Sequence, residues 1–174
     1  YKYRLEPNAE QGVMLTQLVG SARLVWNQIL AMSFEMFAKG EFINATNLVN
    51  NIAGLKNDPD FAYLKTCSNA VSLQQKIRDL ASAWARFFDP KVHARYKENK
   101  KKPRKPKFFK LADGTELQLR PLMPQWKRKS DQNDSMRLVQ FDKYCKVQGN
   151  RVKLPNGVGF VKFRKSQDII GTIK

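Results

Sequence analysis

The sequence has few of the residues that build metal and redox sites. It contains one histidine, His93, and two cysteines, Cys67 and Cys145, which stand far apart and form no CxxC pair. A metal site needs several such ligands at short spacing, so none is predicted. We expect both cysteines to be buried, reduced thiols, as is usual in cytosolic proteins.

Acidic residues and long apolar runs are also scarce. Fifteen Asp and Glu stand against 32 Lys and Arg, which leaves a formal charge of +17. This excess indicates a polyanionic partner, and nucleic acid is the first candidate. No apolar run could span a bilayer and no secretory signal is visible, so a membrane protein is not predicted. The chain begins with Tyr rather than Met, and we expect a trimmed or processed piece.

The first hundred residues predict one strand followed by helices. YKYRLE alternates apolar and polar residues as a strand does, and Asn8 with Gln11 forms a capping-box pair behind Pro7. A helix is predicted to Lys39, with a kink at Gly20-Ser21 and a stop at Gly40. Its apolar stripe has a 4-3-4-3-4 spacing: Leu18, Ala22, Val25, Ile29, Met32 and Met36.

Two more helices complete a predicted bundle. The first covers residues 45–56, and the second covers about 69–88, with Trp84 and Phe87 on its apolar stripe. Asp89-Pro90 either ends that helix or caps one further short helix. Trp26, Trp84, Phe87 and Phe88 could stack on bases, but we expect Trp84 and Phe87 in the core, whereas the position of Trp26 is open. Asn27 is a candidate for a polar contact across the domain junction.

Residues 95–110, RYKENKKKPRKPKFFK, hold nine Lys or Arg and one Glu. Pro103 and Pro106 forbid a continuous helix there. A solvated linker is one interpretation, but the neighbouring aromatic residues favour a phosphate-binding segment. Its candidate phosphate contacts are Arg95, Lys97, Lys100, Lys101, Lys102, Arg104, Lys105 and Lys107.

Beyond this segment the apolar period changes from 3.6 to 2. ADG at 112–114 indicates a hairpin, and strands are predicted at 135–141, 143–148, 151–154, 158–164 and 168–174. Five short strands with tight turns are typical of a small barrel. The predicted fold is therefore α+β: a small, OB-like antiparallel β-barrel that includes YKYRLE, with the helical bundle inserted after this first strand.

Several motifs follow one another along the chain, beginning with YRLEPNAEQ and then VGSARLVWNQIL, which contains Gly20, Arg23, Trp26 and Asn27. They resemble the opening of the TnpB family, the RNA-guided DNA nucleases of insertion sequences. LQQKIRDLASAWARFF, KPKF, DSMRLVQF and RVKLPNGVGFVKFRKSQDIIGTIK resemble later family segments in the family's order. One departure is FFKLADGTELQLRPLMPQW, which intervenes before KRKSDQND.

The resemblance implies a wedge domain and a recognition domain. The wedge barrel would comprise residues 1–7 and 101–174, and the helical recognition domain residues 8–100. In the family this half holds the guide RNA and reads a short DNA motif beside the target, while base pairing selects the sequence. We expect the RNase H-like domain, with its Asp-Glu-Asp site and Mg²⁺, to lie beyond Lys174, and no cofactor in residues 1–174.

The resemblance also implies which residues contact nucleic acid. The DNA-motif readers would be Asn44, Thr46, Asn47, Gln74 and Gln140, because amides can pair two edge atoms of adenine. Helix capping is the alternative for Asn44 and Asn47, and a solvated helix position for Gln74. Lys76 and Arg78 would contact phosphates, and the barrel's RNA side would be lined by Lys127, Arg128, Arg137, Lys162, Arg164 and Lys165.

The expected partners are a guide RNA from the element's end and double-stranded target DNA, in the cytoplasm of a bacterium or an archaeon and associated with its nucleoid. A nuclease-dead RNA-guided repressor and a free-standing barrel-type RNA-binding protein remain alternatives. A helix-turn-helix DNA binder built from the first two helical segments is a further one. Asp58 with Asp60, and Asp131 with Asp134, sit in turn-like stretches, so they do not predict catalysis.

Overall fold

The structure is a computed structural model that describes residues 3–99, 105–131, 135–139, 145–164 and 166–167. Some sequence predictions lie outside these residues: the strand at 168–174, Gln140, and the cations Lys100, Lys101, Lys102, Arg104 and Lys165. No helix in the described ranges is both long and apolar enough to cross a membrane.

A four-stranded antiparallel sheet joins the two ends of the described chain. Its strand order is β1-β6-β5-β4, with β1 at Arg4–Glu6, β4 at Lys146–Gln148, β5 at Arg151–Leu154 and β6 at Gly159–Arg164. Arg4 lies opposite Arg164 and Leu5 opposite Phe163. The prediction that the opening strand pairs with the C-terminal strands is therefore confirmed, whereas closure into an OB-like barrel stays a prediction.

One face of this sheet is apolar because the strands alternate. Val161 and Phe163 of β6 are buried, and so is Leu154 of β5. Leu18 packs onto this face with Leu154, Val158 and Val161. The first long helix therefore lies against the inner side of the sheet, and the opposite face is left to solvent.

In the order of the chain, the helices come after β1 and before the other strands. Their bounds are α1 at Ala9–Ala38, α2 at Ala45–Asn57, α3 at Leu64–Cys67, α4 at Ala70–Phe88 and α5 at Pro90–Asn99. The predicted capping box is present, since the Gln11 amide donates to Asn8 Oδ1 at 2.8 Å and the Asn8 amide to Gln11 Oε1 at 3.2 Å. Asp89 caps α5 through the Lys91 amide, which supports the second interpretation of Asp89-Pro90.

Helix α1 is uninterrupted through Gly20 and Ser21, so the helix does not end there, and the expected kink stays a prediction. A glycine inside a helix costs only about 1 kcal/mol relative to alanine, and the buried side of α1 offsets that cost through packing. The helix ends as predicted, with Lys39 as its C-cap and Gly40 at a φ of +73°.

The buried stripe of α1 departs from its prediction at the C-terminal end. Leu18, Ala22, Val25 and Ile29 are buried, but Met32 is 37% exposed and its place is taken by Leu30, Ser33 and Phe34. A 4-3-4 spacing repeats every 3.5 residues, whereas a straight helix turns every 3.6, so the predicted stripe rotates away from the core. Trp84 and Phe87 are buried in that core, as predicted.

The second half contains one confirmed hairpin and one missing strand. The turn at 112–114 joins strand β2, Lys107–Lys110, to strand β3, Glu116–Leu119, in a separate two-stranded sheet. Residues 135–139 are not in a strand, contrary to the prediction for 135–141. Because Lys76 of α4 bonds to Ser135, this segment lies against the helices rather than in the four-stranded sheet.

Candidate nucleic-acid interface

The solvent face of the four-stranded sheet is strongly basic. Strand register places nine exposed side chains on it, which we call the basic sheet face: Arg4, Glu6, Lys146, Gln148, Arg151, Lys153, Phe160, Lys162 and Arg164. Six of these nine are Lys or Arg and one is acidic. Alternation along each strand separates them from the apolar inner face.

Like charges lie directly opposite each other across these strands. The three pairs are Arg4 with Arg164, Arg151 with Lys162, and Lys146 with Lys153. Such pairs destabilise a sheet, whereas a bound polyanion would neutralise both members. The carboxylate on this face is Glu6, whose Oε2 lies 3.8 Å from Lys162 Nζ. The arrangement is therefore suited to phosphate groups supplied by a partner.

An aromatic ring lies within the basic sheet face. Phe160 is 37% exposed, lies opposite Lys153, and has Lys146 Nζ at 6.0 Å from its ring centroid. Exposed aromatic side chains among cations provide stacking platforms for unpaired bases. This face can therefore contact both the backbone and a base of a nucleic acid.

The start of α1 fixes the position of β6. Gln11 Nε2 donates to the carbonyl oxygens of Val158 and Phe160 at 3.1 and 3.0 Å. Because the Gln11 side chain also completes the capping box, the helix start and the strand that carries Phe160 are held together. This connection places the basic sheet face on rigid elements rather than on a loop.

A second basic group, Lys127 and Arg128, is positioned by α1. Asn27 Nδ2 donates to the Lys127 carbonyl at 3.0 Å, and the Lys127 amide donates to Asn27 Oδ1 at 2.9 Å. Trp26 Nε1 donates to the Gln125 carbonyl at 3.0 Å, and Lys127 Nζ lies 4.5 Å from the Trp26 ring centroid. The predicted junction contact of Asn27 is confirmed, and Trp26, only 8% exposed, is part of the core.

The predicted DNA-motif readers lie on α2 and α4. Asn44 caps α2 by accepting from the Asn47 amide at 2.8 Å, and Asn47 Nδ2 donates to the Phe42 carbonyl at 3.1 Å. Both side chains therefore make contacts at the start of α2, while Thr46 and Gln74 are exposed. Gln74 lines a groove of about 520 Å³ between α2 and α4. Base reading by these residues stays a prediction.

Lys76 does not serve as a surface phosphate contact. It is 6% exposed, and its Nζ donates to the Ser135 carbonyl at 2.9 Å and to Ser135 Oγ at 3.0 Å. Helix periodicity places it one turn from the buried residues Leu73 and Leu80, on the face that packs inward. The prediction for Lys76 is therefore wrong, because its charge is used to hold the 135–139 segment.

The other described cations are on the surface. Arg137 Nη1 lies 3.8 Å from Asp79 Oδ1, with both side chains largely in water, so Arg137 points away from the core as predicted. Exposed positions are also taken by Arg78, Arg95, Lys97, Lys105, Lys107, Arg128, Lys162 and Arg164. Lys105 and Lys107 share a groove of about 370 Å³ with Tyr96 and Arg120.

Sequence reasoning found Lys162 and Arg164 but not the rest of the basic sheet face. Arg4, Lys146, Arg151 and Lys153 were missed, and so was Phe160. The signal was a period of two in the positions of Lys and Arg in YKYR, RVKL and VKFR. Pairing register then decides that these separate alternations meet on one face. In the described ranges, no group of three or more His, Cys, Asp or Glu could hold a metal ion.

Comparisons with known proteins identify a domain family and a relative that this chain resembles. Residues 1–41 match the helix-turn-helix domain model of IS605 OrfB proteins. A Streptomyces pristinaespiralis protein that is named as an RNA-guided DNA endonuclease is 31% identical over 103 residues, which cover 58% of this chain and 25% of that protein. The two matches support the resemblance to the N-terminal part of a TnpB-family protein. The matched part of the chain spans about a quarter of the length of the Streptomyces relative.

Although residues 1–41 match a helix-turn-helix family, the described part of this stretch does not form two helices joined by a turn. The described part of that stretch holds strand β1 and the single helix α1. The alternative in which the first two helical segments form the motif is therefore wrong, because those segments are one continuous helix. Together the domain family and the Streptomyces relative support the interpretation of this chain as a DNA-binding part of a TnpB-like protein.

Proposed function

We propose that this chain is the part of a TnpB-type RNA-guided DNA endonuclease that holds guide RNA and target DNA. The basic sheet face carries the proposal, because its directly opposed like charges call for a polyanionic partner. The similarity to IS605 OrfB proteins and to an RNA-guided DNA endonuclease supports guide RNA and target DNA as these polyanions. The proposal includes the assignment of residues 1–7 and 101–174 to a wedge domain, which comes from the resemblance, and the closure of its strands into a barrel.

The two halves would divide the work. The basic sheet face would bind guide-RNA phosphates, with Phe160 against an unpaired base. The groove between α2 and α4, where Gln74 is exposed, would face the short DNA motif beside the target. Cleavage and the Mg²⁺ that the resemblance implies are assigned to no residue of this chain.

Salt-dependent RNA binding tests the proposal. Affinity for a transcript of the element's end is compared with affinity for random RNA of equal length, by fluorescence anisotropy at several salt concentrations. We expect tighter binding of the element transcript. The variant with Lys146, Arg151 and Lys153 changed to Ala should reduce the slope of log affinity against log salt by roughly 2, since each single-strand phosphate contact contributes about 0.7.

A matched variant controls for net charge. Lys39, Lys65 and Lys91 are exposed and lie outside the basic sheet face, so their change to Ala removes the same charge from elsewhere. An equal slope reduction in both variants would contradict the role of the sheet face. Equal affinity for both RNAs at every salt concentration would favour the second candidate, a general RNA-binding protein, which the exposed Phe160 also suits.

A further inference from the structure

A cleft of about 560 Å³ lies between α1, α4, α5 and residues 122–131, apart from the basic sheet face. Its volume falls in the range of roughly 300–1,000 Å³ that is common for small-ligand sites. One wall belongs to PLMPQW, within the stretch that departs from the family's usual pattern. The family resemblance implies that Lys127 and Arg128 contact RNA, but it assigns no ligand to the cleft that they line with Arg86.

The charges at the cleft favour an anion. Arg86, Lys127 and Arg128 line it together with one carboxylate, Asp131. Asp131 Oδ2 accepts a bond of 3.3 Å from the Arg128 amide, so part of that carboxylate's capacity is used within its own turn. Arg86 and Arg128 are exposed, and the salt bridges among the described residues do not include them. Both guanidinium groups are free to bind phosphate oxygens.

The remaining lining favours a flat apolar body. Val92, Leu122 and Met123 contribute apolar side chains, and Trp26 lies beneath the Lys127 ammonium. A ligand that combines one phosphate with one planar ring matches both parts of this surface. Sugar-only or purely apolar ligands would leave the cations or the apolar wall without a counterpart.

The lining is held in place before any ligand arrives. The Asn27 side chain fixes the Lys127 backbone through two hydrogen bonds, and Trp26 bonds to the Gln125 carbonyl. A preorganised site spends less binding free energy on ordering its side chains. The Trp26 and Asn27 pair of the family-like motif thus supports a site formed by a chain segment about a hundred residues later.

We propose that this cleft holds one unstacked nucleotide, with its base against the apolar wall and its phosphate among Arg86, Lys127 and Arg128. This inference rests on the proposed function, which supplies a single-stranded nucleic acid as the source of the nucleotide. The same chemistry would admit a free nucleoside monophosphate, and the experiment separates the two sources.

The test measures the binding of probes that contain the fluorescent base 2-aminopurine to the 174-residue chain. The probes are a single-stranded oligonucleotide with one central 2-aminopurine, its duplex, and 2-aminopurine riboside monophosphate. We expect a change in 2-aminopurine fluorescence with the single strand and none with the duplex. Arg86→Gln combined with Arg128→Gln should weaken single-strand binding roughly tenfold or more, because two charge-assisted contacts are lost.

A steric pair of variants separates filling of the cleft from loss of charge. Ala83 of α4 lines the cleft and Ala85 of the same helix is exposed, so Ala83→Phe should remove the fluorescence change while Ala85→Phe leaves it intact. The double variant Lys65→Gln with Lys91→Gln is the charge control, because it removes two positive charges from residues that do not line the cleft. If Ala83→Phe does not fold by circular dichroism, the glutamine variants decide the question.

Each outcome has one meaning. Unchanged binding and fluorescence in the double glutamine variant would overturn the inference. A signal with the monophosphate as strong as with the single strand would overturn the nucleic-acid source and keep the nucleotide chemistry. The sheet-face variant should retain the monophosphate signal whatever its RNA affinity, so failure of the proposed function and failure of this inference give different results.

Discussion

The side chain of Asn27 forms two hydrogen bonds with the backbone of Lys127, one donated at 3.0 Å and one accepted at 2.9 Å. A carboxamide offers a donor and an acceptor side by side, so it pairs with one residue's carbonyl and amide as a neighbouring strand would. This contact lets a helix near the start of the chain position a basic segment that arrives much later.

Loss of that pairing should destabilise the protein. Asn27→Ala leaves the partly buried Lys127 amide and carbonyl without these partners, at a cost of about 1–3 kcal/mol in the free energy of unfolding. Urea unfolding measures the change. Asn50→Ala, at an exposed position of α2, should have little effect, and equal losses in the two variants would contradict the structural role of Asn27.

Lys153→Glu should have opposite effects on stability and binding. It replaces the like-charge pair with Lys146 by an attractive one, so the free energy of unfolding of the unbound protein should rise by roughly 0.2–1 kcal/mol. Affinity for RNA should fall, because a phosphate contact becomes repulsive. Urea unfolding and anisotropy report the two quantities, and Lys65→Glu is the control. A variant that lost stability without RNA would argue against repulsion on this face.

Lys76→Met should destabilise the fold without changing the salt dependence of RNA binding. The buried ammonium bonds to Ser135, and its removal leaves that carbonyl unpaired, at about 1–3 kcal/mol. Arg78→Met removes an exposed charge from the same helix and should leave the free energy of unfolding almost unchanged. A reduced salt slope for Lys76→Met alone would restore its phosphate-binding role.

Ser33→Ala tests the connection between the two long helices. Trp84 Nε1 donates to Ser33 Oγ at 2.9 Å, and both side chains are buried. Without the hydroxyl, the indole N–H has no hydrogen-bond partner, which should lower the free energy of unfolding by about 1–3 kcal/mol. Thermal or urea unfolding measures this change. Ser82→Ala on the exposed side of α4 is the control, and an equally stable Ser33 variant would show that water replaces the hydroxyl.

Burial raises the pKa of the Cys145 thiol. The folded thiol keeps its proton to higher pH than the unfolded thiol, so this group's contribution to the free energy of unfolding falls as pH rises above about 8.5. In a Cys67→Ser background, iodoacetamide at pH 8.5 should modify native protein far more slowly than urea-unfolded protein. The structure confirms the prediction of a buried thiol for Cys145. Equal modification rates for native and unfolded protein would contradict that burial.

Much of the local structure could be predicted from the sequence. Asn8 with Gln11 and Gly40 mark helix ends because their side chain or backbone satisfies groups that every helix end leaves unpaired. The alternation in YKYRLE predicted a strand that needs a distant partner, and β6 is that partner. The exposure of Lys76 was wrong, because its contact with Ser135, a residue far along the chain, outweighed the preference of a lysine for water.

The excess of positive charge, the capped helices and the strands with one polar side follow from composition and from contacts within a few residues. The location of that charge depends on how the chain folds. Antiparallel register brings Arg4, Lys146 and Arg151 to one face, and the Asn27–Lys127 pairing closes one wall of a cleft. Both depend on contacts between residues far apart in the chain, whose pairing no local period can specify.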